Sequence, residues 1–152
     1  MLVIDEVSIE LADKYEAVDS PTASDIDKAM KLLKSDSGTV TLQFNENETF
    51  LVHSHNGDYF LVEANGKEGL TLLLTDKRIS LPKKANHLPI CGNECFEHNT
   101  ITDFESVLNV MNVLIQNAKF TDLDPFEWVN VNIDSSKAVS YTHLTLPTIY
   151  SV

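Results

Sequence analysis

Residues 88 to 128, LPICGNECFEHNTITDFESVLNVMNVLIQNAKFTDLDPFEW, decide how the rest of this chain must fold. The stretch opens with a short strand from His87 to Cys91, a tight Gly92-Asn93-Glu94 turn and a polar crossing to Ile101. A helix from Asp103 to Asn117 follows. Thr102 with Glu105 three residues later forms a capping box, in which each side chain satisfies the other residue's free backbone N–H. Phe104, Val107, Leu108, Met111, Ile115 and Ala118 recur at helical period and define one apolar face. The exit loop Asp122-Leu123-Asp124-Pro125 leads to Trp128, the only tryptophan. An amphipathic helix of this kind needs a sheet to cover.

The residues before it supply that sheet. Leu2 to Leu11 alternates weakly, with Val3, Val7, Ile9 and Leu11 on one side and Glu6, Ser8 and Glu10 opposite, which reads as a half-buried strand. Asp13 to Pro21 reads as a polar connection. Thr22 or Ser24 caps a helix that runs to about Ser35 with an apolar stripe of Ile26, Ala29, Met30 and Leu33. Asp25 and Asp27 at its start and Lys31 and Lys34 near its end suit the helix dipole. Gly38 is placed to stop it.

The period then changes to two. Thr39 to Phe44, Thr49 to His55, Asp58 to Glu63 and Leu70 to Thr75 read as strands of an antiparallel meander. Asn56-Gly57 between two of them is a strong hairpin signal, because both turn residues must take positive φ. Asp76 to Asn86 carries Lys77, Arg78, Lys83 and Lys84, and Pro82 argues against a central strand there. Trp128 to Ile133, with Val129, Val131 and Ile133 on one face, is the last strand. The order β-α-ββββ-β-α-β predicts an α+β fold: a mainly antiparallel meander of about six to seven strands with two helices packed on one face.

At 152 residues one domain is expected. Hydrophobic content of 43% and charged content of 22% are ordinary for a folded protein. The apolar runs are too short to cross a membrane. The start, Met1-Leu2-Val3-Ile4-Asp5-Glu6, lacks the basic and apolar parts of a signal peptide, so the cytoplasm is the expected compartment. The net charge of −12 argues against direct contact with nucleic acid or an anionic membrane. It serves solubility, and it also suits a basic protein partner. No feature points to an oligomer, so a monomer is the default.

Val139 to Val152 breaks this composition: these 14 residues contain no Asp, Glu, Lys or Arg. Val139 to Thr148 resembles a sequencing adaptor read through as coding sequence. The expectation is therefore a single domain over residues 1–138, cut short near Lys137, followed by a non-native tail at 139–152.

No enzyme signature emerges. His87, Cys91, Cys95 and His98 are zinc-type residues, but four ligands within a dozen residues lack the two converging knuckles of a structural site. Cys91 reads as a small buried residue at a strand end and Cys95 as a surface one. His53 and His55 share a strand face without a third ligand. Gly66-x-x-Gly69 is a turn, not a phosphate loop, since no helix follows it. Neither a catalytic residue, a cofactor nor a metal is expected. Trp128 reads as a core or rim anchor.

Several motifs occur in a recognisable order. A capped helix precedes a meander containing Gly57-Asp-Tyr-Phe-Leu-Val and Gly66-Lys-Glu-Gly69. Then come the strand ending in Gly92-Asn93-Glu94, the Ile101-Thr-Asp-Phe-Glu105 helix start and Leu123-Asp-Pro-Phe-Glu-Trp128. From about Ser24 to Trp128 the chain resembles the immunity-protein family designated one in bacterial polymorphic toxin systems. It departs from that pattern at Asn93, where a second glycine is usual, and at Ala118-Lys119, where a helix-stop glycine is usual. The resemblance implies a cytoplasmic protein that binds and neutralises a secreted toxin, often a nucleic-acid deaminase or nuclease, by occluding its substrate cleft. It gives Gly92, Asn93 and Trp128 structural roles. An acidic inhibitor would meet a basic toxin through Glu94 and Glu97 first, and Asp58 and Glu63 second. The alternative is a non-enzymatic adaptor or ligand-binding α+β domain outside any toxin system.

Overall fold

The alternating residues pair as nearest neighbours along the chain. The computed structural model describes residues 1–45, 48–66, 69–79 and 87–131. β1 (Glu6–Leu11) turns into β2 (Lys14–Asp19), α1 spans Ala23–Leu32, and the meander is β3 (Gly38–Asn45), β4 (Glu48–His55), β5 (Tyr59–Asn65) and β6 (Thr71–Asp76). β7 (His87–Ile90) and β8 (Asn93–Phe96) form a hairpin of their own. A 3-10 turn at Glu97–Asn99, the short β9 (Thr100–Ile101), α2 (Phe104–Asn117) and β10 (Phe126–Asn130) complete the order. The main sheet runs β10-β6-β5-β4-β3-β1-β2 and is antiparallel throughout, with β9 beside β5. β5 shares one edge between two partners: Glu63 to Asn65 pair with β6, while Phe60 and Leu61 pair with β9. The fold is the α+β meander with two helices that the hydrophobic periods predict.

Both helices cover the same face of the sheet. Val40, Leu42, Phe50, Val52, Phe60, Val62, Leu72, Leu74 and Trp128 point into one core with Ile26, Met30 and Leu33 of the α1 segment and Val107, Met111 and Leu114 of α2. Each such side chain contributes about 1.5–3 kcal/mol when fully buried. Thr22 caps α1 in a reciprocal box with Asp25. The buried Ser54 hydroxyl donates to the Leu33 carbonyl and accepts the Gly57 N–H, joining the helix end to the β4–β5 turn. Gly57 must be glycine: its φ is +77° and a Cβ would lie 1.8 Å from the Lys34 carbonyl oxygen.

Several details differ from the sequence expectations. Asp13 to Pro21 is mostly strand, not a loop. β2 is an edge strand exposed along its whole length, and a strand wet on both faces carries no hydrophobic period. α2 is capped by Asp103, not Thr102: the Asp103 carboxylate accepts the Glu105 N–H and the Ser106 hydroxyl. Its buried face includes Val110 and Leu114, while Leu108 and Ile115 are only partly buried. Gly38 does not stop a helix but begins β3, where a Cβ would meet the Glu10 carbonyl at 2.4 Å. The Gly92-Asn93-Glu94 turn is displaced by one residue. Cys91 (φ +47°) and Gly92 (φ +80°) make the tight turn, and Asn93 to Phe96 is a strand instead of a polar crossing. Cys91 is the exposed cysteine and Cys95 the buried one, the reverse of the expectation, because β8 turns Cys95 inward. Ala118 itself takes the left-handed cap of α2, with φ +53°. Ile133, Lys83, Lys84 and the 139–152 tail lie outside the described residues.

Candidate functional site

The sheet's second face carries no helix. Its side chains follow from the register. One row reads Tyr15, Glu10, Thr39, His53 and Leu61 across β2, β1, β3, β4 and β5. The next reads Ala17, Ser8, Thr41, Leu51, Glu63, Leu73 and Val129. A third carries Asp19, Glu6, Gln43, Thr49, Asn65 and Thr71. Every charged residue of β1 to β6 and β10 that shares this face is a carboxylate: Glu6, Glu10, Asp19, Glu63 and Glu127. Of the described basic residues, Lys28 and Lys31 are on α1 with Lys34 just beyond it, and Lys77 follows β6 and pairs with Asp124 at 3.2 Å.

The β7–β8 hairpin folds over one end of this face. The Cys91 thiol donates to the Gly38 carbonyl at 3.3 Å, and the Tyr59 hydroxyl donates to the Pro89 carbonyl. Between hairpin and sheet is a cleft of about 440 Å³ lined by Glu10, Thr39, His53, Leu61, Glu63, Ile90, Asn93 and Glu94, among others. Glu10 and Glu63 bring carboxylates from two strands of the sheet, Glu94 lines the rim from the hairpin, and Leu61 and Ile90 are part of the apolar lining.

One wall is a hydrogen-bonded row. His53 Nε2 lies 2.5 Å from Glu63 Oε1, and His53 Nδ1 lies 2.7 Å from Thr39 Oγ1. A carboxylate only accepts, so in the neutral ring Nε2 carries the proton and Nδ1 accepts from the Thr39 hydroxyl. The Cys91 sulfur is 3.7 Å from that hydroxyl and also faces the Gly38 and Ser54 carbonyls. The row therefore fixes Glu63 against the cleft wall. On the hairpin's outer side Glu94 Oε2 meets His87 Nδ1 at 3.0 Å, and Phe96 stacks on His98. Burial holds His98 below the ordinary histidine value and pushes the Cys95 thiol and Tyr59 phenol above theirs.

Of the residues singled out in the sequence, the structure brings Glu63, Glu94 and Asn93 together in the cleft. Gly92 is in the hairpin turn that closes it. Asp58 is exposed beyond the Asn56-Gly57 turn, Glu97 opens the 3-10 turn, and neither lines the cleft. Trp128 is buried in the core, edge-on to Phe50 and Phe120. Sequence reading missed Glu10, Thr39 and the His53–Glu63 pair. The pair was accessible in principle, since the Asn56-Gly57 hairpin sets their diagonal register.

Among the described residues no group of three or more His, Cys, Asp or Glu is arranged to hold a metal ion. No described helix is long and apolar enough to cross a membrane. Comparison with protein-family models, with characterised proteins and with solved structures returns no match.

Proposed function

We propose that this chain is an immunity protein: it binds a cognate secreted bacterial toxin and neutralises it by covering the toxin's substrate cleft. The observation that carries the reading is the single sign of charge on the helix-free sheet face, where all five charged side chains are carboxylates. Nucleic-acid deaminases and nucleases hold a polyanion and are basic around it, so an acidic face competes for the same surface. The motif order from Ser24 to Trp128 supports the same reading. The inhibitor acts by occlusion and carries out no chemistry in the cytoplasm where its toxin is made.

The test is genetic and then biochemical. The reading frame beside this one is expected to encode a toxin domain. Expressing that domain alone should arrest growth, and co-expressing this chain should restore it. Purified chain and toxin should form a complex whose affinity falls as salt rises. Growth arrest that this chain does not relieve would overturn the reading. The second reading, a ligand-binding domain, has one observation in its favour, the cleft beneath the hairpin with its fixed imidazole and carboxylate. Binding of a small metabolite at stoichiometry, without any toxin partner, would favour it.

A further inference from the structure

We propose that β2 is the pairing edge of a homodimer, in which two copies of this chain join their main sheets antiparallel about a two-fold axis at Ala17. The dimer stands or falls independently of the immunity reading.

β2 ends the main sheet, and no described strand lies beyond it. The Ala12-Asp13 turn closes Leu11 on Lys14, and the Ser20 N–H donates to the Asp5 carbonyl at 2.8 Å. In an antiparallel ladder only alternate residues bond to a given neighbour. Lys14, Glu16 and Val18 therefore direct their main-chain groups at β1, and those of Tyr15, Ala17 and Asp19 face outward. An unpaired row of this kind is a template for another strand. β2 also holds two large hydrophobic side chains that stay exposed, Tyr15 at 64% and Val18 at 41%.

The residues of β2 select a second copy as that strand. With the axis at Ala17, Ala17 meets its own counterpart and Tyr15 meets Asp19 of the second copy, so every outward N–H and C=O is bonded. Glu16 then falls opposite Val18, and no like charges face each other. An axis at Glu16 would set two carboxylates opposite each other, and one at Val18 would set Tyr15 against Pro21, which has no N–H to give. On the helix side Val18 borders a hollow of about 190 Å³ that Val7, Ile9, Ala29, Leu32 and Lys28 also line. Glu16 of the second copy, opposite Val18, stands at the mouth of this hollow on the same side as Lys28. The net charge of −12 makes the copies repel, and one strand from each is a small interface. The dimer is therefore weak, with a Kd on the order of 100 µM.

Sedimentation velocity from about 10 µM to about 1 mM reads the association. Raising salt from about 50 to about 500 mM screens the repulsion and should tighten the dimer, the opposite sign to that expected of a toxin complex. Amide exchange locates the interface. It should slow with concentration at Tyr15, Ala17 and Asp19, and stay constant at Lys14, Glu16 and Val18, which are already bonded. Ala17→Pro removes an outward N–H from each copy and should weaken the dimer about tenfold or more. Ala17→Lys, at an exposed position, sets two ammonium groups opposite each other and should weaken it about fivefold, which carries the test should the proline variant not fold. A chain that stays monomeric at about 1 mM in both salts would overturn the proposal. So would a dimer that both variants leave intact, or one that slows exchange only outside β2.

Discussion

Replacing Phe120 by alanine tests whether the segment between α2 and β10 closes the core. Phe120 is 2% exposed and meets the Trp128 ring edge-on at a centroid distance of 5.2 Å. Truncating a buried phenylalanine costs about 3–5 kcal/mol, because the cavity only partly collapses. About 0.5–1.5 kcal/mol of that is the aromatic pair itself. Trp128 keeps its second edge contact, with Phe50 at 6.2 Å, and its backbone N–H bond to Asp122 at 3.0 Å, so the site should loosen without emptying. A loss near 4 kcal/mol is therefore expected. Urea unfolding followed by tryptophan fluorescence reads it directly, since Trp128 is the only tryptophan. With a slope of about 2 kcal/mol/M the midpoint should drop by about 2 M, and native emission should shift to the red. A midpoint change below about 0.5 M at unchanged slope would refute the view that this segment is part of the core.

Three further outcomes are expected. Thr22→Ala removes one half of the α1 capping box and should cost about 1 kcal/mol in the same urea assay, with Thr22→Asn close to neutral. Gly57→Ala and Gly92→Ala share a positive φ but differ in space: a Cβ at Gly57 lies 1.8 Å from the Lys34 carbonyl oxygen, whereas nothing lies within 4 Å of one at Gly92. Gly92→Ala should cost about 1 kcal/mol of backbone strain, and Gly57→Ala should cost more than twice as much by thermal unfolding. The third concerns acid. The Arg78 guanidinium hydrogen-bonds Asp76 and holds its carboxyl below the ordinary aspartate value. The unfolded chain therefore takes up this proton first as pH falls. The contribution is full above the unfolded value and disappears as pH drops through the lowered folded one. Asp76→Asn should make the unfolding midpoint less dependent on pH below about 4, and an unchanged acid slope would count against the pair.

The features legible in the sequence were those with a local cause. The Ile26, Ala29, Met30 and Leu33 stripe, the Asn56-Gly57 hairpin and the alternation of β3 to β6 are written in periods and turn residues, and all are present. What escaped depends on partners distant in sequence or on the absence of a pattern. β2 carries no period because both its faces are wet. The β7–β8 turn moved by one residue because Cys91 accepts a positive φ that only its neighbour Gly92 advertises. Asp103 took the cap from Thr102 because a capping side chain one residue later also reaches the free N–H groups. The cleft was half legible. Glu63, Asn93 and Glu94 were singled out, but Glu10 and Thr39 join them only through the β1–β3 and β3–β4 registers, and no local signal in β1 or β3 names those partners.

The placement of β10 has a consequence for synthesis. β3 to β6 pair with neighbours only a turn away, so the meander can form as it leaves the ribosome. Trp128, however, pairs opposite Leu74, and α2 arrives between them in the chain. Until both have emerged, Phe50, Phe60 and Leu72 face solvent on a paired but uncovered sheet. The nascent chain passes through an interval in which its stickiest surface is assembled and bare, and premature termination anywhere from β6 to α2 would fix it there. Chaperone dependence and aggregation of stalled chains should therefore peak over that window and fall sharply once Trp128 is free to dock.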